Sequence, residues 1–308
     1  MFIIRKFIPV LVLFSLVLTA CGGTTPDVQA GLEVVASTTI VGDVVAQVGG
    51  GLIDLTVLFP TGADPHTFEP RPQDIAALSD AQVVIISGLG LEEALEPVLE
   101  ANVKGTIVHA SDGIDLLAFD GDVHEEEDEH EHESGDPHTW TDPNNVIVWT
   151  ENIAAALSEA DPSNAAVYRS NADAYIASLR ELDSWIRSEV AQIPVERRKL
   201  VTDHRALGYF ADEYGFEQVG ALVGAFSTNA APSAQELAAL EETIKLQNVT
   251  AVFVGNEVNP QLAEQVTQDT GTKLVYLYTG SLSEAGGEAD SYLNFMRYNV
   301  NAIVGALK

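Results

Sequence analysis

An α/β fold of two lobes, each with a mainly parallel β-sheet flanked by helices and with one long α-helix between them in sequence, is predicted by three observations. Short β-branched runs alternate with helical patterns, these runs fall into two groups, and a single long helical repeat separates the groups. Continuous apolar strands alternating with helices mark parallel sheets covered on both faces. The first group is EVVAST near Val34, LTVLF near Val57, QVVIIS near Val84 and TIVHA near Val108. The second is KLVTDH near Val201, AVFVG near Val252 and KLVYLY near Val275. Residues 31–160 therefore read as an N-terminal lobe and residues 195–308 as a C-terminal lobe.

Residues 161–194 between them read as the linking helix. Asp161-Pro162 has the form of an N-cap followed by proline at the first helical position, and Pro194 stops the run. In between, Tyr168, Ala172, Tyr175, Ile176, Leu179, Leu182, Ile186 and Val190 recur at helical spacing. About thirty residues at ~1.5 Å each make a rod of roughly 45 Å, long enough to reach across both lobes. An ordinary long surface helix would show the same pattern.

Ahead of the lobes, residues 1–20 read as a lipoprotein signal peptide. Arg5 and Lys6 precede an apolar stretch from Phe7 to Leu18, and Leu18-Thr19-Ala20 leads into Cys21 and Gly22-Gly23. A transmembrane anchor is the alternative, but small residues before a lone cysteine favour lipoprotein processing. The segment resembles the bacterial lipobox, which implies cleavage before Cys21, acylation of that residue, and a polar tether over residues 21–30. The protein is then expected outside the cytoplasm, lipid-anchored at the cell surface or in the periplasm, and as a monomer. Cys21 is the single cysteine, so no disulfide staples the fold and the core alone must stabilise it.

A formal net charge of −31 excludes nucleic acid as a partner, because phosphate binding needs a basic footprint. Cations are the natural partners of such a chain. His66, His138 and His204 each sit in a short loop beside carboxylates, and His66 and His138 also follow prolines. Neutral imidazole suits zinc, and neighbouring anions attract a cation before it is ligated. The loop motifs fall where strands end, at the side of an open α/β sheet that borders the ligand crevice. The acidic run over residues 120–136 adds His124, His130 and His132 and has almost nothing apolar to bury. It reads as a solvated charge run that offers weaker, auxiliary metal sites. His109 lies in an apolar strand pattern without such a motif and reads as structural.

The segments ADPHTFEPRPQDIAALSDAQVVIISG, DPHTWTDPNN, TDHRALGYFADEYGF and DSYLNFMRYNVNAI together resemble the zinc/manganese class of ABC transporter substrate-binding lipoproteins. The similarity covers essentially the whole chain beyond the leader. It implies a metal held between two α/β lobes joined by one long spanning helix, an ABC permease as partner, and His66, His138 and His204 as ligands. A histidine at position 204 resembles the zinc binders of the class, where a carboxylate would point to manganese. Zn²⁺ is therefore the expected cargo and Mn²⁺ the lesser alternative.

The chain departs from the class at two places. Gly280 stands where the family's usual aspartate ligand lies, and Gly255 replaces a family glutamate. Three neutral imidazoles leave the charge of a dication uncompensated, so a fourth position falls to water or to another carboxylate, with Glu257 as the leading protein candidate. Asp64, Glu69, Asp136, Asp142 and Asp203 are close enough in sequence to orient the imidazoles. Asp142 before Pro143 also has the form of a helix cap.

An open fourth position is also how catalytic zinc is built. No HExxH helix or comparable base motif occurs, so a zinc-dependent hydrolase is disfavoured and the chain is not expected to be an enzyme. A surface-tethered adhesin is compatible with lipid anchoring. A siderophore or haem carrier would need a wider cleft with basic or aromatic residues.

Overall fold

The computed structural model describes residues 31–117, 135–224, 226, 228 and 231–308. Among them are two four-stranded, fully parallel sheets. In the first, β1 (Leu32–Ala36), β2 (Ile53–Val57), β3 (Val83–Ile86) and β4 (Thr106–His109) lie in the order β2-β1-β3-β4. In the second, β5 (Lys199–Thr202), β6 (Glu217–Ala221), β7 (Ala251–Gly255) and β8 (Lys273–Leu277) repeat that arrangement as β6-β5-β7-β8. The inner strands β3 and β7 are buried along their whole length, which is why their sequences are unbroken apolar runs. Strand β6 was not anticipated from the sequence. It is an edge strand, and Glu217, Gln218 and Gly220 interrupt the apolar signal that a central strand would carry.

Three hydrophobic layers hold these sheets. The largest runs between them and is built from α1 (Thr39–Gly49), α4 (Pro143–Ala160), α5 (Ala165–Val190) and α9 (Tyr292–Leu307). Helices α2 (Pro72–Asp80) and α3 (Glu96–Asn102) cover the far face of the first sheet, and α7 (Ala234–Leu246) and α8 (Gln261–Thr270) cover that of the second. A short α6 (Gly208–Tyr214) follows β5.

Helix α5 joins the lobes. Its 26 residues span ~39 Å, and its buried stripe includes Tyr168, Ala172, Tyr175, Ile176, Leu179, Leu182, Ile186 and Val190, the positions expected from the repeat. Its start differs from the expected one. Asp161 is the C-cap of α4, and its carboxylate accepts hydrogen bonds from Ser163, Asn164 and the Tyr168 hydroxyl, so the chain makes a turn through Pro162 before α5 begins at Ala165. A carboxylate ahead of a proline can end one helix as readily as begin the next. Asp142 does behave as anticipated: it caps α4 and accepts from the Asn144 N–H at 2.9 Å.

Candidate metal centre

His66 comes from the loop after β2, His138 from the segment ahead of α4, and His204 from the residues just after β5. Folding brings their rings to centroid separations of 5.2, 5.6 and 5.1 Å. His66 Nε2 lies 3.2 Å from His138 Nε2, which in turn lies 3.3 Å from His204 Nε2. Two nitrogens bound to a tetrahedral zinc at about 2.0–2.1 Å stand roughly 3.3–3.4 Å apart, so the spacing matches a shared ion.

Each histidine is held by an aspartate one or two residues before it. Asp136 Oδ1 accepts both the His138 N–H, at 2.9 Å, and its Nδ1–H, at 2.8 Å. Asp203 Oδ1 does the same for His204, at 2.7 and 3.0 Å, while its other oxygen accepts the Gly255 N–H at 2.9 Å. Asp64 accepts the His66 N–H at 3.0 Å and the Thr228 hydroxyl. A carboxylate can only accept, so Nδ1 of His138 and His204 carries the proton and their Nε2 lone pairs face the cleft. Of the five carboxylates marked by the sequence, Asp136 and Asp203 orient imidazoles and Asp64 orients backbone. Asp142 caps a helix instead, and Glu69 is exposed.

Burial sets the protonation of the cluster. His138 and His204 are 1% and 4% exposed. Burial, reinforced by His138 and His204, pulls His66 down to about 2. Burial also lowers His138 despite Asp136. For His204 burial works in the same direction, but Asp203, Asp64 and Glu257 outweigh it and raise the group above its ordinary value. Of the three imidazoles, His204 alone is shifted upward.

Asp64, Pro65, Thr228, Glu257, Thr279 and Gly280 complete a cavity of about 10 Å³ around the rings. That is space for one ion or one water and far too little for a siderophore or haem. Glu257 lines the cavity, but its carboxylate turns to the loop after β8: Oε1 accepts the N–H groups of Gly280 and Ser281 at 3.3 and 3.0 Å, and Oε2 accepts the Thr279 hydroxyl at 3.1 Å. Among the described residues the group of donors lying within 4.8 Å of one another here is His66, His138 and His204.

A side chain at either glycine would require its neighbours to shift. A Cβ on Gly255 would lie 2.3 Å from Thr279 Oγ1 and 2.9 Å from Glu257 Oε2, and one on Gly280 would lie 2.7 Å from Pro65 Cδ. His109 ends β4 at the surface, apart from the cluster. Cys21, His124, His130 and His132 lie outside the described residues. Among the described residues no helix is long and apolar enough to cross a membrane.

Comparison with known proteins identifies the family. Residues 34–306 match the family described as zinc-uptake complex component A, periplasmic. The chain is 34% identical over 303 residues to the manganese-binding lipoprotein MntA of Halalkalibacterium halodurans, covering 97% of each chain. It is 32% identical to the manganese ABC transporter substrate-binding lipoprotein PsaA of Streptococcus pneumoniae, covering 98% of this chain and 99% of that one. Among solved structures, the periplasmic zinc binding protein TroA of Treponema pallidum superposes with a TM-score of 0.80 at 25% identity, covering 90% of this chain and 99% of that one. The Mn-bound periplasmic metal binding protein of Candidatus Liberibacter asiaticus gives 0.79 at 27% identity, covering 90% and 100%. Relatives named for manganese stand beside those named for zinc, so the matches reach the metal-binding family but not the zinc-binding branch within it. The match along nearly the whole chain, on two parallel-sheet lobes joined by α5, makes this protein a member of the ZnuA/PsaA family, the extracytoplasmic metal-binding components of ABC transporters, and not an enzyme.

Proposed function

We propose that the chain captures Zn²⁺ through His66, His138 and His204, with water in the fourth position, and delivers it to the membrane permease of its transporter. The observation that carries this reading is the all-imidazole donor set. Manganese prefers oxygen, and imidazole suits zinc. Glycine at 255 and 280 places no carboxylate at those positions, and both Glu257 oxygens already accept backbone or hydroxyl donors. The negative charge that a dication needs comes from Asp136 and Asp203, one imidazole removed.

A second reading is favoured by the manganese-named relatives. In it Glu257 leaves its loop, adds an oxygen to the ion, and Mn²⁺ is the cargo. Affinity alone separates the two poorly, because zinc outcompetes manganese at most nitrogen-containing sites. The decisive experiment removes the gene from its host and withholds each metal in turn. Growth should fail under zinc chelation and return with added zinc; rescue by manganese alone would overturn the zinc assignment. Tight zinc binding by a variant with alanine at positions 66, 138 and 204 would overturn the site itself.

In the same reading residues 1–20 are removed, acylated Cys21 and the tether over residues 21–30 hold a monomer at the membrane, and lobes 31–160 and 195–308 close about the helix of residues 161–194. His124, His130 and His132 collect zinc weakly, since ordering their loop costs about 1–2 kcal/mol per residue fixed. Deleting residues 122–134 should then remove weak zinc equivalents in a titration and leave one tight site.

A further inference from the structure

The loop after β8 grows from one lobe and is bonded to the other. Thr279 O accepts the Trp140 indole N–H at 2.9 Å, and Ser281 Oγ accepts the Gly62 N–H at 2.9 Å. The Ser281 hydroxyl also shares a hydrogen bond with Thr39 at 3.2 Å, and the Leu282 N–H donates to Thr39 Oγ1 at 2.9 Å. Gly62 lies just before His66 and Trp140 just after His138, so residues 279–282 are pinned to both histidine segments of the first lobe. Thr279 and Ser281 are buried, at 6% and 2% exposure.

From its own lobe, the same loop is held by Glu257. One carboxylate gathers the hydroxyl of Thr279 and the N–H groups of Gly280 and Ser281. Stripping the acceptor would leave its three donors unsatisfied. Packing adds to this: Gly280 sits so close against Pro65, the neighbour of His66, that a Cβ would lie 2.7 Å from Pro65 Cδ. Glycine at 280 is thus a condition for the lobes to meet as they do.

We propose that Glu257 is a positioning residue for ion retention: by holding residues 279–282 against Thr39, Gly62 and Trp140, it keeps the lobes shut on the three histidines and sets how fast the ion leaves, without binding the ion. The proposal rests on reading those histidines as the ion site.

Co²⁺ is the probe that separates the two ideas, because its visible absorption reports the atoms bound and mixing with excess chelator reports release. In the full-length protein, Glu257→Gln should leave the Co²⁺ spectrum unchanged while release becomes roughly ten- to a hundredfold faster. Ser281→Ala, which removes the hydroxyl at the lobe junction, should speed release in the same direction by a smaller factor, and Gly280→Ala should do so by wedging against Pro65. The Ser281 and Gly280 variants carry the test if Glu257→Gln folds poorly. An altered spectrum in Glu257→Gln would make Glu257 a ligand and overturn the proposal, as would an unchanged release rate across the three variants. If the spectrum survives replacement of all three histidines by alanine, the reading of the site fails first and the proposal with it.

Discussion

Two clusters of metal-capable side chains occur among the described residues, and they are bonded differently. His66, His138 and His204 form the first, and Asp142, Asp183 and Glu213 form the second, between the start of α4, α5 and α6. In the acidic cluster the protein supplies its own donors to each carboxylate. The Asn144 amide reaches Asp142 at 2.9 Å and Glu213 at 3.2 Å, Arg187 pairs with Asp183 at 3.0 Å and with Glu213, and the Tyr214 hydroxyl donates to Asp183 at 3.0 Å. In the histidine cluster the protein's bonds fall on the far nitrogens, Nδ1 of His138 and His204, and the near ones converge. The two clusters differ in where the protein places its own bonds, rather than in how many donor residues assemble.

The largest effect that could break this contrast is loss of a ligand. His138→Ala should weaken zinc binding by more than the ~100-fold that losing an outer partner costs, whereas Asp183→Asn should leave it unchanged, both read by competition with a calibrated chelator. Equal losses in the two variants would erase the distinction. One step down, Asp136→Asn and Asp203→Asn should each cost roughly 10–100-fold in zinc affinity, because an amide no longer fixes the imidazole proton on Nδ1.

Proton competition gives the next effect. His204 is raised above the ordinary histidine value of 6.5, so zinc must displace its proton. Affinity should fall as pH drops through that raised value, with proton release on binding, and Asp203→Asn should move the fall to lower pH. The decline therefore begins above the pH of about 6.5 expected for an unperturbed imidazole. Calorimetry in buffers of different ionisation enthalpy counts the proton, and binding undiminished at pH 5 would argue against imidazole ligation.

The acidic cluster supplies the smallest effect, and it concerns stability. Burial, with Glu213 and Asp183 adding to it, pushes Asp142 up to about 6 from an ordinary 3.8. The folded state then binds this proton more readily than the unfolded one, so the contribution of Asp142 to stability declines as pH rises from about 4 to 6. Asp142→Asn keeps a residue able to cap α4 and removes the charge. It should be more stable than the parent by about 3 kcal/mol at pH 7 and equal to it near pH 3, as measured by denaturant unfolding.

Much of this molecule is legible in one dimension. Seven of the eight strands among the described residues announce themselves as apolar runs, and the stripe from Tyr168 to Val190 marks the buried face of α5. The Asp-Pro-His triplets at 64–66 and 136–138 and the Asp203-His204 pair mark the histidines with their orienting aspartates already attached, because those contacts are local. What escaped was nonlocal. Strand β6 owes its place to β5, and the role of Asp161 depended on which helix would claim it. Glu257, a ligand candidate by its position after β7, spends its carboxylate on Thr279, Gly280 and Ser281.

Pattern alone therefore determined the kinds of element, the donor residues and their immediate partners, since period, turn chemistry and neighbouring side chains act within a few residues. Tertiary structure decided the rest: that three imidazoles share one small cavity, that Gly280 packs against Pro65, and that one lobe's loop is bonded to the other. Those outcomes depend on distances between segments far apart in the chain, and such distances exist only after the two sheets have packed around α5 and its neighbours.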